Sequence, residues 1–334
     1  MFCPQENSLY FAINIDPSLR EKLEQKYQFK FSDLKLLQFA DGEYLAQPQL
    51  SVRGKKVYVF HSLSDPVNEN LMKLLITIDA LKRSSAREIN LIITYLAYTR
   101  QDRRTAERTA ITSKLVANLI SVAGADKVTT IDLHSEQIEG FFDIPVDHLH
   151  SAPVFAEHLI KTYGKQLQDF VIVSPDFGAS KRARMLSDLL SIPIVIMEKI
   201  RDQIGGISRQ YVYGEVNFMN CLIFDDMIGT GGTVISAAKT LRDLGAKSVI
   251  VCATHGLFSG QALEKFEEAF KEGIISKIMV SDSIPARKKY EFIDVVNTDG
   301  LIAQVIKIYV QEQGSIAQVY EQWKSEILAL KDQL

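Results

Sequence analysis

Residues 220–233, NCLIFDDMIGTGGT, bring together side chains able to grip a phosphorylated polyol. Cys221 to Phe224 read as a short buried strand, and the adjacent carboxylates Asp225 and Asp226 sit at its C-terminal end. The turn Gly229-Thr230-Gly231-Gly232-Thr233 follows, and then a helical run, VISAAKTLRDLG. In an open α/β sheet, ligands gather beyond the carboxyl ends of strands, where helix N-termini also point. Glycines admit a phosphate close to the backbone, the N–H groups of a helix start face it, and two threonine hydroxyls add donors. Paired carboxylates would repel that phosphate, so their place is on the neighbouring hydroxyls or on a metal bound to them. A sugar phosphate satisfies both halves. A glycine turn with exposed aspartates is the plainer reading, and the DD-x-x-x-T-G-G-T spacing argues against it.

Four other stretches carry charge at strand ends. Thr99-Arg100-Gln101-Asp102-Arg103-Arg104 follows INLIITYL, and arginines there can clamp a polyphosphate or simply be solvated. Asp132 and His134 end KVTTIDLH, and strand alternation would put them on one face. Such a pair can hold a divalent ion on nucleotide phosphates, or can be hydrogen-bonding residues only. Ser174-Pro175-Asp176-Phe177-Gly178-Ala179 offers Asp176 to a metal or sugar, ahead of the basic helix start SKRAR. Glu198-Lys199-Ile200-Arg201 leaves IPIVIM for a Gly-Gly-containing segment; two cations on a mobile loop suit a phosphoryl transition state, or form an exposed basic arm.

The elements that must position these residues alternate between buried strands and helices, the pattern of parallel sheets. Strands are expected at 8–14, 57–61, 89–96 and 127–134, with helices at 17–27, 66–84 and 112–125. After about residue 150 the pattern restarts, with strands at 170–174, 192–197, 221–225, 248–255 and 276–282 and helices near 180–190, 232–244 and 261–271. Two α/β halves result, 1–150 and 151–300, with a mostly helical segment at 301–334 that can join either.

With 334 residues the chain exceeds one typical domain. A net charge of −3 gives no global basic field for a nucleic acid. No apolar run approaches the roughly 18 residues that span a bilayer, and no signal peptide is expected from MFCPQENSLYFAINI. Cys3, Cys221 and Cys252 are widely spaced and odd in number, which fits a reduced, cytoplasmic protein.

YTRQDRR, DLHSEQIEGFFDIPVDHL, SPDFGASKRAR, MEKIR and FDDMIGTGGT occur in the order and spacing of ribose-phosphate diphosphokinase, the phosphoribosyl diphosphate (PRPP) synthetase family. The resemblance runs nearly the full length. It implies two similar Rossmann-like domains of the type I phosphoribosyltransferase kind, each with a mostly parallel central sheet. It also implies an ATP side in 1–150 and a ribose 5-phosphate side in 151–300. The implied reaction is attack of the ribose 1-hydroxyl on the β-phosphorus of ATP, giving PRPP and AMP for nucleotide biosynthesis, with Mg²⁺ as cofactor.

Carried over residue by residue, the resemblance makes Lys199 and Arg201 the catalytic cations. Asp225, Asp226, Gly229, Thr230, Gly231, Gly232 and Thr233 would bind ribose 5-phosphate. Arg100, Gln101, Asp102 and His134 would lie along ATP, joined by Phe39, Asp41 and Glu43 reaching over from a neighbouring subunit. Asp132, His134 and Asp176 would be metal ligands, and Ser51, Arg53, Ser85, Arg108 and Ser315 match a regulatory anion site. Partners are therefore ATP, ribose 5-phosphate and further copies of the chain, in hexamers built from dimers.

Departures from the family pattern keep two alternatives open. Gly229 stands where many relatives have a third aspartate, Phe177 and Ala179 replace smaller or polar residues and a glycine, and the C-terminal S-x-S-Y-L-F signature has become SIAQVY. Gly229, Phe177 and the altered C-terminus support a non-catalytic regulatory homologue, whereas the presence of Lys199, Arg201, Asp225, Asp226 and His134 together supports the active enzyme. A phosphoribosyltransferase would share the TGGT loop but leaves the RQD and MEKIR stretches without a role.

Overall fold

The computed structural model describes residues 7–201, 207–286 and 288–333, apart from the side chains of residues 199–201 and 207–209. It divides into two compact units. The first holds Met1–His150, Asp282–Ala286 and Thr298–Ile316, and the second Ser151–Ser281, Arg287–Asn297 and Ala317–Leu334.

The first unit starts with β1 (Ser8–Asn14) and α1 (Pro17–Tyr27). Asp16 caps α1, its carboxylate accepting the N–H groups of Ser18 and Leu19, with Pro17 at the first helical position. A hairpin, β2 (Leu34–Gln38) and β3 (Tyr44–Pro48), forms its own two-stranded sheet. Then come β4 (Lys56–Ser62), α2 (Val67–Arg83), β5 (Glu88–Tyr95), α3 (Thr112–Ala123), β6 (Lys127–Ile131) and β7 (Val146–Leu149). The main sheet is parallel throughout, ordered β1-β4-β5-β6-β7. Its inner strands β4 and β5 are buried along almost their whole length because helices cover both faces of such a sheet, whereas the edge strand β7 is mixed.

The second unit runs α4 (Ala152–Tyr163), β8 (Phe170–Ser174), α5 (Ser180–Leu190), β9 (Ile194–Arg201), β10 (Ile207–Tyr213), β11 (Asn220–Ile228), α6 (Gly232–Asp243), β12 (Ser248–Gly256), α7 (Ala262–Lys271), β13 (Lys277–Ser281) and β14 (Ile293–Val296). Its seven-stranded sheet is ordered β10-β9-β8-β11-β12-β13-β14, with β10 alone antiparallel to its neighbour. Val173, Ile223, Val251, Val234 and Phe266 are among the residues of its core. The terminal segment is two helices, α8 (Asp299–Gln311) and α9 (Ile316–Asp332). The first unit claims α8, and the second claims α9 from Ala317 onward.

Several boundaries differ from expectation. β6 stops at Ile131, so Asp132 and His134 lie beyond the strand. Asp132 has φ 38, in the left-handed region, which breaks the alternation; it is buried while His134 is exposed. The two therefore do not share a strand face. β11 continues past both aspartates to Ile228. β9 continues through Lys199 to Arg201, paired antiparallel with β10, so the backbone of both cations lies on a strand arm and not in a loop. The hairpin, β7, β10, β14 and α4 are additions to the expected set.

Candidate active site

In the second unit the chain passes from β8 through α5 to β9 on one side, then returns by the β9–β10 hairpin to lay β11 on the other. The gap between β8 and β11 is thus a topological switch point, where open sheets hold ligands. The β8–β11 pairing ends at Val173↔Ile223, two residues before Asp225. β11 alone continues with β12, where Asp225 pairs with Ala253.

Both carboxylates face a single guanidinium. Arg182, two residues into α5, places Nη1 3.6 Å from Asp225 Oδ1 and 3.6 Å from Asp226 Oδ1. Asp225 Oδ1 also accepts the N–H of Asp226 at 2.8 Å. Burial first, and then the neighbouring Asp226, push the pKa of Asp225 well above the ordinary carboxylate range, and Arg182 offsets only part of this. Two acids sharing one cation crowd carboxylate oxygens into a half-enclosed place. Hard oxygen donors so arranged fit a divalent cation such as Mg²⁺, and equally the hydroxyls of a sugar. Arg182 was absent from the expected site because its partners belong to a different βα unit.

Asp176 stands on the opposite lip, in the loop between β8 and α5. Its Oδ1 accepts the N–H of Ala179 at 3.0 Å, and Ser174 Oγ donates to its carbonyl at 2.7 Å. One carboxylate oxygen is thus used to hold the turn that starts α5. Phe177 is exposed beside it, its ring centroid 6.3 Å from that of Tyr213 on β10.

The glycine turn leads directly into α6. Gly231 is the N-cap, with φ 78, and no side chain caps the helix. Gly231 is buried, whereas Thr230, Gly232 and Thr233 are exposed at the helix start. Gly229 is pinned through its carbonyl, which accepts the N–H of Ser259 at 3.1 Å. First-turn amides without helical acceptors, beside hydroxyls and an αL glycine, form an anion cradle. The side chains of Lys199 and Arg201 lie outside the described residues.

In the first unit the corresponding strand ends carry Arg100, Gln101 and Asp102 on the loop after β5, with Arg100 and Gln101 exposed and Asp102 half-buried. Gln101 is tied to the start of α3. Its carbonyl accepts from Ser113 Oγ at 2.9 Å, and its side-chain oxygen accepts from Thr112 Oγ1.

After β6 the turn at Asp132-Leu133-His134 meets β7. Asp132, His148 and His150 bring one possible ligand atom each within 4.8 Å of one another. As a metal trio they do not fit. His148 Nε2 accepts the N–H of Leu133 at 2.9 Å, and His148 Nδ1 pairs with Glu139 Oε1 at 2.8 Å, so both ring nitrogens are committed. Burial, and then the neighbouring His150, hold the pKa of His148 below the ordinary imidazole value. Asp132 Oδ1 lies 3.6 Å from His150 Nδ1. His134 is not in this group; it stands exposed past the turn.

Phe39, Asp41 and Glu43 lie at the β2–β3 hairpin tip, all exposed. Phe39 N–H donates to the Glu43 carbonyl at 2.8 Å, and Asp41 Oδ1 accepts the Glu43 N–H at 3.1 Å. The hairpin leans on α2 through Tyr44, whose hydroxyl donates to Glu69 Oε2 at 2.8 Å. Among the expected regulatory residues, Arg53 and Ser85 are joined, Nη1 to Oγ at 3.1 Å. Ser51 and Arg108 are exposed. Ser315 lines a cleft of about 490 Å³, with Lys56, Asn90 and Lys127, whose lining includes neither Arg53 nor Ser85.

Residues 9–124 match the N-terminal domain of ribose phosphate pyrophosphokinase, and residues 207–321 match the phosphoribosyl synthetase-associated domain. The ribose-phosphate pyrophosphokinase of Mycoplasma pneumoniae is 44% identical over 318 residues, covering 95% of this chain and 96% of that protein. The Bacillus subtilis enzyme of the same name is 40% identical over 317 residues, covering 94% and 98%. Among solved structures, phosphoribosylpyrophosphate synthetase from Mycobacterium smegmatis superposes with a TM-score of 0.84 at 34% identity, covering 92% of this chain and all of that one.

Proposed function

The chain belongs to the ribose-phosphate pyrophosphokinase family, and from that premise we propose how its own residues divide the work of making PRPP and AMP from ATP and ribose 5-phosphate. The observation that carries the reading is the conjunction at the β8–β11 switch point: two acids sharing Arg182, directly before a glycine-capped helix start. Asp225 and Asp226 take the ribose hydroxyls, and the N–H groups and hydroxyls of residues 229–233 take the 5-phosphate. The acids sit beside the sugar and away from the phosphate, which resolves the charge conflict within the motif.

In the same reading the first unit takes ATP. Arg100, Gln101 and Asp102 lie along it, with Gln101 held by its bonds to α3. Asp132 and His134 serve the metal–ATP end and Asp176 the metal–ribose end. Mg²⁺, when bound, disperses negative charge on the phosphates and sugar oxygens. Lys199 and Arg201 stabilise the migrating diphosphoryl group, and no covalent enzyme intermediate is required. Catalysis then rests on positioning and charge stabilisation.

The exposed hairpin tip with Phe39, Asp41 and Glu43 supports a shared ATP site in a homo-oligomer, a hexamer built from dimers. Sedimentation finding an active monomer would refute that. Ser51, Arg53, Ser85, Arg108 and Ser315 are assigned to an effector-anion site. The work is placed in the cytoplasm; among the described residues no helix is long and apolar enough to cross a membrane.

The test is turnover. Purified protein given ATP, Mg²⁺ and ribose 5-phosphate should release AMP in step with PRPP. Folded protein that binds ATP yet forms neither product would instead be a regulatory homologue.

A further inference from the structure

We infer that His148 is a positioning residue, which clamps the Asp132–His134 turn in the conformation that receives ATP. The inference rests on the reading of that turn as the metal–ATP end. β6 ends at Ile131, and the chain then enters the left-handed region at Asp132, with φ 38. A non-glycine residue in that region needs outside restraint, since local sterics disfavour it.

The restraint comes from the adjacent strand. On one side, the Asp132 N–H donates to the Leu149 carbonyl at 2.8 Å. On the other, the Leu133 N–H donates to His148 Nε2 at 2.9 Å. An imidazole nitrogen that accepts an amide proton carries none, so the ring proton sits on Nδ1 and donates to Glu139 Oε1, 2.8 Å away. Glu139 lies on a short 3-10 turn, Glu136–Phe141, which orients the ring from behind. The ring of His150 packs against His148 at 4.5 Å between centroids. His148 is nearly enclosed, with its side chain 5% exposed. One histidine thus fixes the amide between the two residues assigned to the metal–ATP end, while its nitrogens are unavailable to any metal.

Removing such a support should damage ATP binding and spare the sugar phosphate. Isothermal titration of Mg²⁺–ATP, with no ribose 5-phosphate present, measures the effect without turnover. His148→Ala should weaken ATP binding by about 10–100-fold, the usual cost of losing an outer support of a ligand set. In steady-state assays KM for ATP should rise while KM for ribose 5-phosphate stays near that of the parent. His148→Gln should restore most of the loss, because its amide oxygen can occupy the place of Nε2. Glu139→Ala should give a smaller loss in the same direction.

Unchanged ATP affinity in folded His148→Ala would overturn the inference, and so would equal losses for both substrates. A loss in His148→Gln as deep as in His148→Ala would also overturn it, and would point to a metal-ligating histidine. Should His148→Ala fail to fold, the Gln and Glu139 variants decide. Parent protein that binds ATP without turnover would defeat the functional reading, while the titration would still judge His148.

Discussion

Gly231 lies so close beneath the ring of Phe266 that a Cβ there would come within 2.7 Å of Phe266 Cε2. Its φ of 78 is also one that side-chain-bearing residues avoid. Gly232, the next residue, has open space around its would-be Cβ and no such φ. Neighbouring glycines of one motif therefore have different reasons to be glycine. Gly231→Ala should destabilise the protein by about 1–3 kcal/mol through overpacking, and should raise KM for ribose 5-phosphate. Gly232→Ala should unfold at the parent temperature. Equal thermal shifts in the two variants would contradict this account.

Asp225 should cost stability in the free protein. A carboxylate with a raised folded-state pKa binds its proton more tightly folded than unfolded. Stability then falls as pH rises from the unfolded value of about 3.9 toward the raised one, and stays lower above it. Asp225→Asn keeps an oxygen for the Asp226 N–H, and should melt higher than the parent at neutral pH while losing turnover. Arg182→Ala should melt lower at neutral pH, with the deficit shrinking in acid. Scanning calorimetry across pH measures both.

Two buried groups should give pH slopes of opposite sign. His61 is enclosed, donates from Nε2 to the Asn70 carbonyl at 2.9 Å, and is held by burial at a pKa of about 4. The unfolded state then binds more protons between about 4 and 6.5, so this histidine makes the protein lose stability as pH falls through that window. Asp282 accepts from Thr298 N and Oγ1 at 2.8 and 2.6 Å, and burial pushes its pKa up to about 6. There the folded state binds more protons, and stability falls as pH rises from about 3.9 to about 6. His61→Gln should flatten the acid loss, and Asp282→Asn should remove the opposing slope. Denaturant midpoints between pH 4 and 7 separate them.

Lys199→Ala should lower kcat by about 10²–10³-fold, the usual effect of deleting one transition-state charge donor. Thermal unfolding should be unchanged. Parent-like turnover would remove Lys199 from the mechanism.

Much of the fold was legible because strands covered on both faces are unbroken apolar runs, as in INLIITY and FVIVS. The β2–β3 hairpin leaves no such signal, since LKLLQ and YLAQP alternate between half-buried and exposed residues and contribute little to a core. The TGGT loop was legible because its chemistry is contiguous in sequence. Arg182 and His148 were not. Their partners reach them through strand pairing across a sheet, and register between distant segments leaves no local mark. The alternating run VDHLH was the one available hint at His148, since it is a strand that must lie beside another.

The switch-point arrangement also governs when the candidate site comes into being. β8 and β11 are neighbours in the sheet, yet the whole β9–β10 hairpin separates them along the chain. A nascent polypeptide that ends before β11 has the Asp176 loop but lacks the Asp225–Asp226 pair. Long-range parallel pairing is slow to form, so the β8–β11 pairing is expected late in the folding of this unit. The candidate site is complete in the chain only once β11 and the turn at 229–233 that follows it have been made.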